Sequence, residues 1–307
     1  IIDSLEDIEL MRARISRGYD VAGKYYKLAI DIDLSSSKSW LISSTFAGHF
    51  DGQGHTITVD PNKGIFRYVN TPSSRDIAII NLNVKTPSTQ DVMSSGYSIV
   101  YRLLSGVIEN CTFTGNVSSD AAGGIAYRVD DGFIRNCSFS GTVQADSYAG
   151  GIVARLAGEG GIENCKVGSE VKVSISKIAS AKYAGGIVGR MTGGYVKGCT
   201  SYAKITGTDG IGGIVGCISK AVNRSRITGN TYTGVDREVG YGTGYFDPDQ
   251  DPNPTPEYDP DSRDNNLQPQ DNTQHDGGGG GGCTSITLSG FSLLLLAGLV
   301  LQKSRRH

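Results

Sequence analysis

The sequence predicts an all-β chain: a right-handed parallel β-helix of about 27-residue coils, with an N-terminal capping helix. Three observations carry this expectation. The run Ala122-Gly-Gly-Ile-Ala-Tyr-Arg128 recurs as Ala149-Gly-Gly-Ile-Val-Ala-Arg155, Ala184-Gly-Gly-Ile-Val-Gly-Arg190 and Gly212-Gly-Ile-Val-Gly216, after a worn copy at Gly96-Tyr-Ser-Ile-Val-Tyr-Arg102. A second landmark keeps step with it: Ile108-Glu-Asn-Cys111, Ile134-Arg-Asn-Cys137, Ile162-Glu-Asn-Cys165 and Val196-Lys-Gly-Cys199. Between these landmarks the apolar runs are no longer than seven residues and lack a 3.6-residue period, which argues for strands.

Taken in chain order, residues 1–24 open with a helix signal. Ser4 reads as N-cap of a helix reaching about Ser16, with Leu5, Ile8, Met11 and Ile15 near one face. That helix is expected to cover the first coil, because a β-helix leaves an unpaired edge at each end. Residues 25–94 are expected to form opening coils, with Tyr25 to Asp33 read as one alternating strand. Asp51 and His55 form an acid–histidine cluster there, and His49 lies six residues before His55. Turn chemistry is the expected role for both groups, since no further ligand residues stand near enough for a metal site.

Residues 95–246 hold the repeats. First glycines stand at 96, 123, 150, 185 and 212, so the steps are 27, 27, 35 and 27, and the long step reads as about eight residues inserted near Ser174–Ala181. Each unit is too small to bury a core alone, so the units must stack, each advancing about 4.8 Å. The isoleucine of each unit is expected inside, and the pairs Gly123–Gly124, Gly150–Gly151, Gly185–Gly186 and Gly212–Gly213 are expected to turn the chain tightly. Cys111, Cys137, Cys165 and Cys199 fall at equivalent positions and are expected to form an interior ladder, with Cys217 out of phase. Asp130–Asp131, the adjacent acidic pair of the repeats, is expected to serve a turn. Asn110, Asn116 and Asn136 match glycosylation sequons by pattern alone.

The run AGGIVGR followed by a turn and Asn-Cys resembles GLUG-motif repeats, found in large bacterial surface proteins that include adhesins and secreted peptidases. The likeness covers about 120–140 residues, and the segment Phe46 to Ile57 resembles the coil that precedes such repeats. It implies scaffold, and it brings no catalytic residue or cofactor with it.

Residues 247–276 change character, with six of the nine prolines, nine acidic residues and one arginine. The expectation is a disordered, proline-stiffened spacer. Asp247, Asp249 and Asp251 alternate as in calcium loops, but prolines replace the flexible positions. Residues 277–307 follow: six glycines, Cys283, an uncharged stretch from Ile286 to Leu301, then Lys303, Arg305 and Arg306. As a helix those sixteen apolar-rich residues span roughly 24 Å, against a hydrocarbon core of about 30 Å. The order of Gly run, Cys, apolar helix and basic end resembles the Synergist-CTERM sorting signal, a relative of GlyGly-CTERM and Myxo-CTERM signals. That likeness implies export, membrane engagement, and cleavage by a sorting protease or modification at Gly281, Gly282 and Cys283. The chain starts at Ile1 without a signal peptide, so an exported protein is expected here as a fragment or a mature form.

Composition narrows the function. A net charge of −2 gives no basic field for nucleic acid, while 43 glycines and 15 tyrosines suit turns and contact surfaces. The expectation is a non-catalytic adhesion, binding or display module facing a glycan or a surface protein of a host or neighbouring cell. The alternatives are a polysaccharide lyase or glycosidase built on the β-helix, or a stalk segment of a larger surface protein.

Overall fold

Strands mostly of two to six residues cannot shield a core singly, and here each pairs in parallel with a strand one coil away. The computed structural model describes residues 1–17, 22–36, 42–169, 172–175, 183–207, 210–219 and 222–241. Among these the chain forms a parallel β-helix with three sheets. Sheet 1 runs from Ile42–Phe46 to Val239–Tyr241 and sheet 2 from Tyr25–Lys27 to Ile227–Thr228, with eight strands in each. Sheet 3 runs from Ile32–Leu34 to Thr231–Tyr232 and has thirteen strands, because the side strands of its longer coils join it.

The expected interior is observed. Ile99, Ile125, Ile152, Ile187 and Ile214 are fully buried, and each N–H but the last donates to the isoleucine carbonyl one coil on at 2.9–3.1 Å. Cys111, Cys137, Cys165 and Cys199 are at most 1% exposed and stand as free thiols in the core, as the ladder predicts. Phe113 stacks on Phe139 at 5.7 Å beside them.

The glycine pairs have a different cause from the one their composition suggests. Neither glycine of Gly123–Gly124, Gly150–Gly151, Gly185–Gly186 or Gly212–Gly213 occupies the left-handed region. A Cβ on Gly123, Gly150, Gly185 or Gly212 would instead lie 1.9–2.1 Å from the carbonyl oxygen three residues on. On Gly124, Gly151 or Gly186 it would lie 2.2–2.3 Å from the carbonyl of the matching glycine in the next coil. The corner between sheets 3 and 1 is therefore backbone packed on backbone. The left-handed turn belongs to the other landmark: Asn81, Asn110, Asn136 and Asn164 have φ of 52–54°, with Gly198 at 66° in the same place.

Helix α1, Leu5–Ser16, starts where Ser4 accepts a hydrogen bond from the Asp7 N–H at 3.2 Å. It packs on the Ile42–Phe46 strand through Ile8, Met11 and Ile15, whereas Leu5, expected on that face, is 52% exposed. The single strand expected over Tyr25 to Asp33 is two strands, Tyr25–Lys27 and Ile32–Leu34, in different sheets. Alternation cannot see the corner between them, where the Ala29 N–H donates to the Ile2 carbonyl. The long repeat step is also spread more widely than expected. The offset to the preceding coil is 27 at Val129/Leu156, 28 at Phe133/Gly161, 30 at Thr142/Lys172 and 35 at Tyr148/Tyr183. The spacer 247–276 and the segment 277–307, with Gly281, Gly282 and Cys283, lie outside the described residues. Among the described residues no helix is long and apolar enough to cross a membrane.

Candidate functional site

In sheet 1 the middle strands break simple alternation and turn two consecutive residues outward between buried ends. The outward pairs are Arg67–Tyr68, Tyr101–Arg102 and Tyr127–Arg128, followed by Arg155 and Arg190 beside the small residues Ala154 and Gly189. Cα register places Arg102, Arg128, Arg155 and Arg190 in one column over four successive coils. Such a column of like charge is costly unless neighbours hold it. Asp130, at the turn leaving sheet 1, accepts from Arg102 Nε at 2.7 Å and from Arg128 Nε at 2.8 Å. Arg190 donates to the Tyr148 hydroxyl at 3.1 Å, and its guanidinium lies 5.3 Å from that ring's centre.

Aromatic rings border the column. Tyr101 stacks on Tyr127 at 4.8 Å, and Tyr148 stacks on Tyr183 at 5.8 Å with planes 7° apart. Burial raises the Tyr127 phenol above its ordinary value, with Arg155 pulling the other way and Asp120 adding to the rise. Tyr97 beneath them is fully buried, and burial holds its phenol well up. The face sets phenol hydroxyls beside guanidinium groups.

The acidic and histidine candidates are placed apart from this face or within its framework. Asp130 is only 14% exposed and is held by the two arginines, while Asp131 Oδ1 accepts the Glu159 N–H at 2.9 Å. Asp51 accepts from the Gln53 N–H at 2.9 Å and from Asn81 Nδ2 at 3.2 Å. His55 faces Asp31 at 3.3 Å, so the structure partners His55 with a carboxylate other than Asp51. Asp31 is held below the usual carboxylate range, first by the Thr56 N–H. His49 stacks on Tyr25 at 4.3 Å and contacts the Ile77 carbonyl. Among the described residues no cluster of His, Cys, Asp and Glu is arranged to hold a metal.

Cys217 continues the arginine column opposite Arg190, which is why it is out of phase with the core thiols. Burial pushes its thiol up to about 11, against the pull of Arg190. Asn110 and Asn136 are turn residues, and Asn116 donates to the Thr89 carbonyl at 2.7 Å. Asp247, Asp249 and Asp251 lie outside the described residues. Reading for acids, histidines and thiols passed over the arginines, although their signal was in the repeat: Arg at the seventh position of AGGIVGR.

No protein-family model matches the chain, and no curated protein matches it. Among solved structures it is similar to a candidate immunoglobulin A1 protease from Bacteroides ovatus, at 21% identity and a TM-score of 0.44, over 76% of this chain and 79% of that one.

Proposed function

We propose that the chain is a non-catalytic binding and display module at a bacterial cell surface. The observation that carries this reading is how polar side chains are divided on the β-helix. The carboxylates first in line for acid–base work are held in turns: Asp51 by Gln53 and Asn81, Asp130 by two arginines, Asp131 by a backbone N–H. Glycoside hydrolysis needs two carboxylates facing a common substrate, about 5–9.5 Å apart. Tyrosine and arginine are instead collected on one outer face, and these are the residues that dominate contact surfaces. The tail supports surface placement by its pattern, with Gly281, Gly282 and Cys283 as the processing region and Ile286 to Leu301 as the membrane segment. Partners in this reading are a sorting protease and then a glycan or protein of an adjacent surface.

The test has two arms. Cells lacking the protein are compared with complemented cells for adherence to glycan and protein arrays, and purified full chain is incubated with polysaccharides and assayed for new chain ends. Lost adherence without new chain ends is expected; chain cleavage, or unchanged adherence, overturns the module. Mass spectrometry of the native C-terminus is expected to find chains ending near Gly282–Cys283. Intact peptides from Leu301 to His307 as the dominant form would sink the sorting step.

A further inference from the structure

We infer that the outer side of sheet 1 binds a linear acidic polysaccharide along the β-helix axis, with Arg102, Arg128, Arg155 and Arg190 as its successive anion contacts. The inference deepens the binding-module reading and rests on it. Its first support is register: the four arginines are Cα partners over consecutive coils, so their charges repeat at the coil rise of about 4.8 Å. A line of evenly spaced guanidinium groups matches a polymer with an acidic group recurring along its length better than a compact anion. Guanidinium forks also suit both carboxylate and sulfate oxygens.

The second support is preorganisation. Asp130 fixes the Nε ends of Arg102 and Arg128, and Tyr148 holds Arg190 through its hydroxyl and ring. Side chains already held lose less freedom when a ligand arrives. The third is charge. Asp130 sits against Arg102 and Arg128, and Asp120 at the adjoining corner is occupied by the Ser147 hydroxyl at 3.0 Å. Four guanidinium groups in one column concentrate positive charge locally on a chain whose net charge is −2. Past the corner, Asp131 serves the next turn and Glu159 pairs with Arg226 at 3.4 Å.

The fourth support is the tyrosine border. Stacked Tyr101 and Tyr127 give way, where the outward position becomes Ala154 and Gly189, to Tyr148 from the adjoining corner, whose ring rests on the buried Tyr183. Rings with an apolar body and a polar tip suit the alternately apolar and hydroxylated faces of sugars. A chain of net charge −2 whose basic column is local is a poor match for nucleic acid, where many phosphate contacts supply the affinity.

The test measures binding of the full chain by isothermal titration to polygalacturonate, heparin, neutral dextran and single-stranded oligothymidylate. Both acidic glycans are expected to bind, with affinity falling at least about tenfold from low to physiological salt. The double variant Arg155→Gln/Arg190→Gln is expected to weaken binding at least about tenfold, with the thermal midpoint preserved. Arg155→Lys/Arg190→Lys, which keeps the charge and loses the fork, is expected to bind more weakly than the unaltered chain and more tightly than the glutamine variant. Arg226→Gln is expected to keep all of the binding. The salt dependence of the unaltered chain reads the same interaction even if the glutamine variant fails to fold. Equal binding of dextran, tighter binding of oligothymidylate, or acidic-glycan binding indifferent to salt and to both arginines overturns the inference. If the acidic glycans fail while dextran or whole cells are still bound, the ligand class falls and the binding module stands. If nothing is bound, both fall.

Discussion

At Gly150 the residue type is set by space. A Cβ there would sit 1.9 Å from the Val153 carbonyl oxygen and 2.7 Å from the Gly189 nitrogen, both backbone atoms that cannot rotate away. Gly168 offers the contrast, with nothing within 4 Å of its Cβ position and an ordinary φ. Gly150→Ala is therefore expected to destabilise by about 1–3 kcal/mol, as overpacking does. Gly168→Ala should change stability by less than about 0.5 kcal/mol, or raise it slightly through the unfolded chain. Urea midpoints of the two variants decide this, and equal effects would refute the packing account. The repeat made these glycines conspicuous in the sequence, but it could not separate conformational need from lack of room. Asn136 shows the reverse case: its φ of 52° is a conformational need, and Asn next to Cys recorded it at every clean copy except Gly198.

Among elements, sheet 2 is specified by charge as well as by burial. Its outward column reads Glu109, Arg135, Glu163, Lys197 in register, so each carboxylate faces a cation one coil away. Arg135 meets Glu163 at 2.9 Å, and both side chains are about one-quarter exposed, at 27% and 25%. Tyr195 also donates to Glu163, and burial followed by that contact pushes its phenol up to about 12. Arg135→Glu would set three carboxylates in a row and should cost about 1–2 kcal/mol, shrinking at high salt. Arg135→Gln should cost no more than about 1 kcal/mol, the scale of a partly exposed pair. Thermal melts at two salt concentrations test both values; a penalty that does not respond to salt would mean packing, not charge, holds this column. The repeat units and the capping helix were legible because periodicity and N-cap chemistry act locally. The corner at Ala29 was not, because Tyr25 to Asp33 keeps its apolar alternation straight through a change of sheet. The arginines recur in the repeat, but that they face outward as one column came with the structure, where residues 26 to 35 apart in sequence are neighbours.

For the β-helix as a body, stability is a sum of coil-to-coil contacts, and the weakest places are the ends where one side has no coil. Helix α1 closes the first end by laying Ile8, Met11 and Ile15, each at most 4% exposed, against the Ile42–Phe46 strand. Burial of three such side chains is worth about 1.5–3 kcal/mol apiece, before the entropy of ordering the helix is subtracted. Without it the edge that begins sheet 1 would present unpaired backbone beside apolar Ile42 and Phe46, a template for a second chain. Removing residues 1–17 should therefore do two things: lower the melting temperature and produce concentration-dependent association in size-exclusion chromatography. Ile8→Asp with Met11→Asp should reproduce both effects in a chain of full length. Ser4→Ala, which removes only the cap, should cost about 1 kcal/mol and leave the chain in its original association state. If the shortened chain keeps both its melting temperature and its elution volume, the helix is an appendage and the first coil stands without it. The same stacking explains why a charged ladder is affordable on the outer face: a column repeated over four coils is held by the interior isoleucines beneath it, so its arginines can be chosen for what they meet outside.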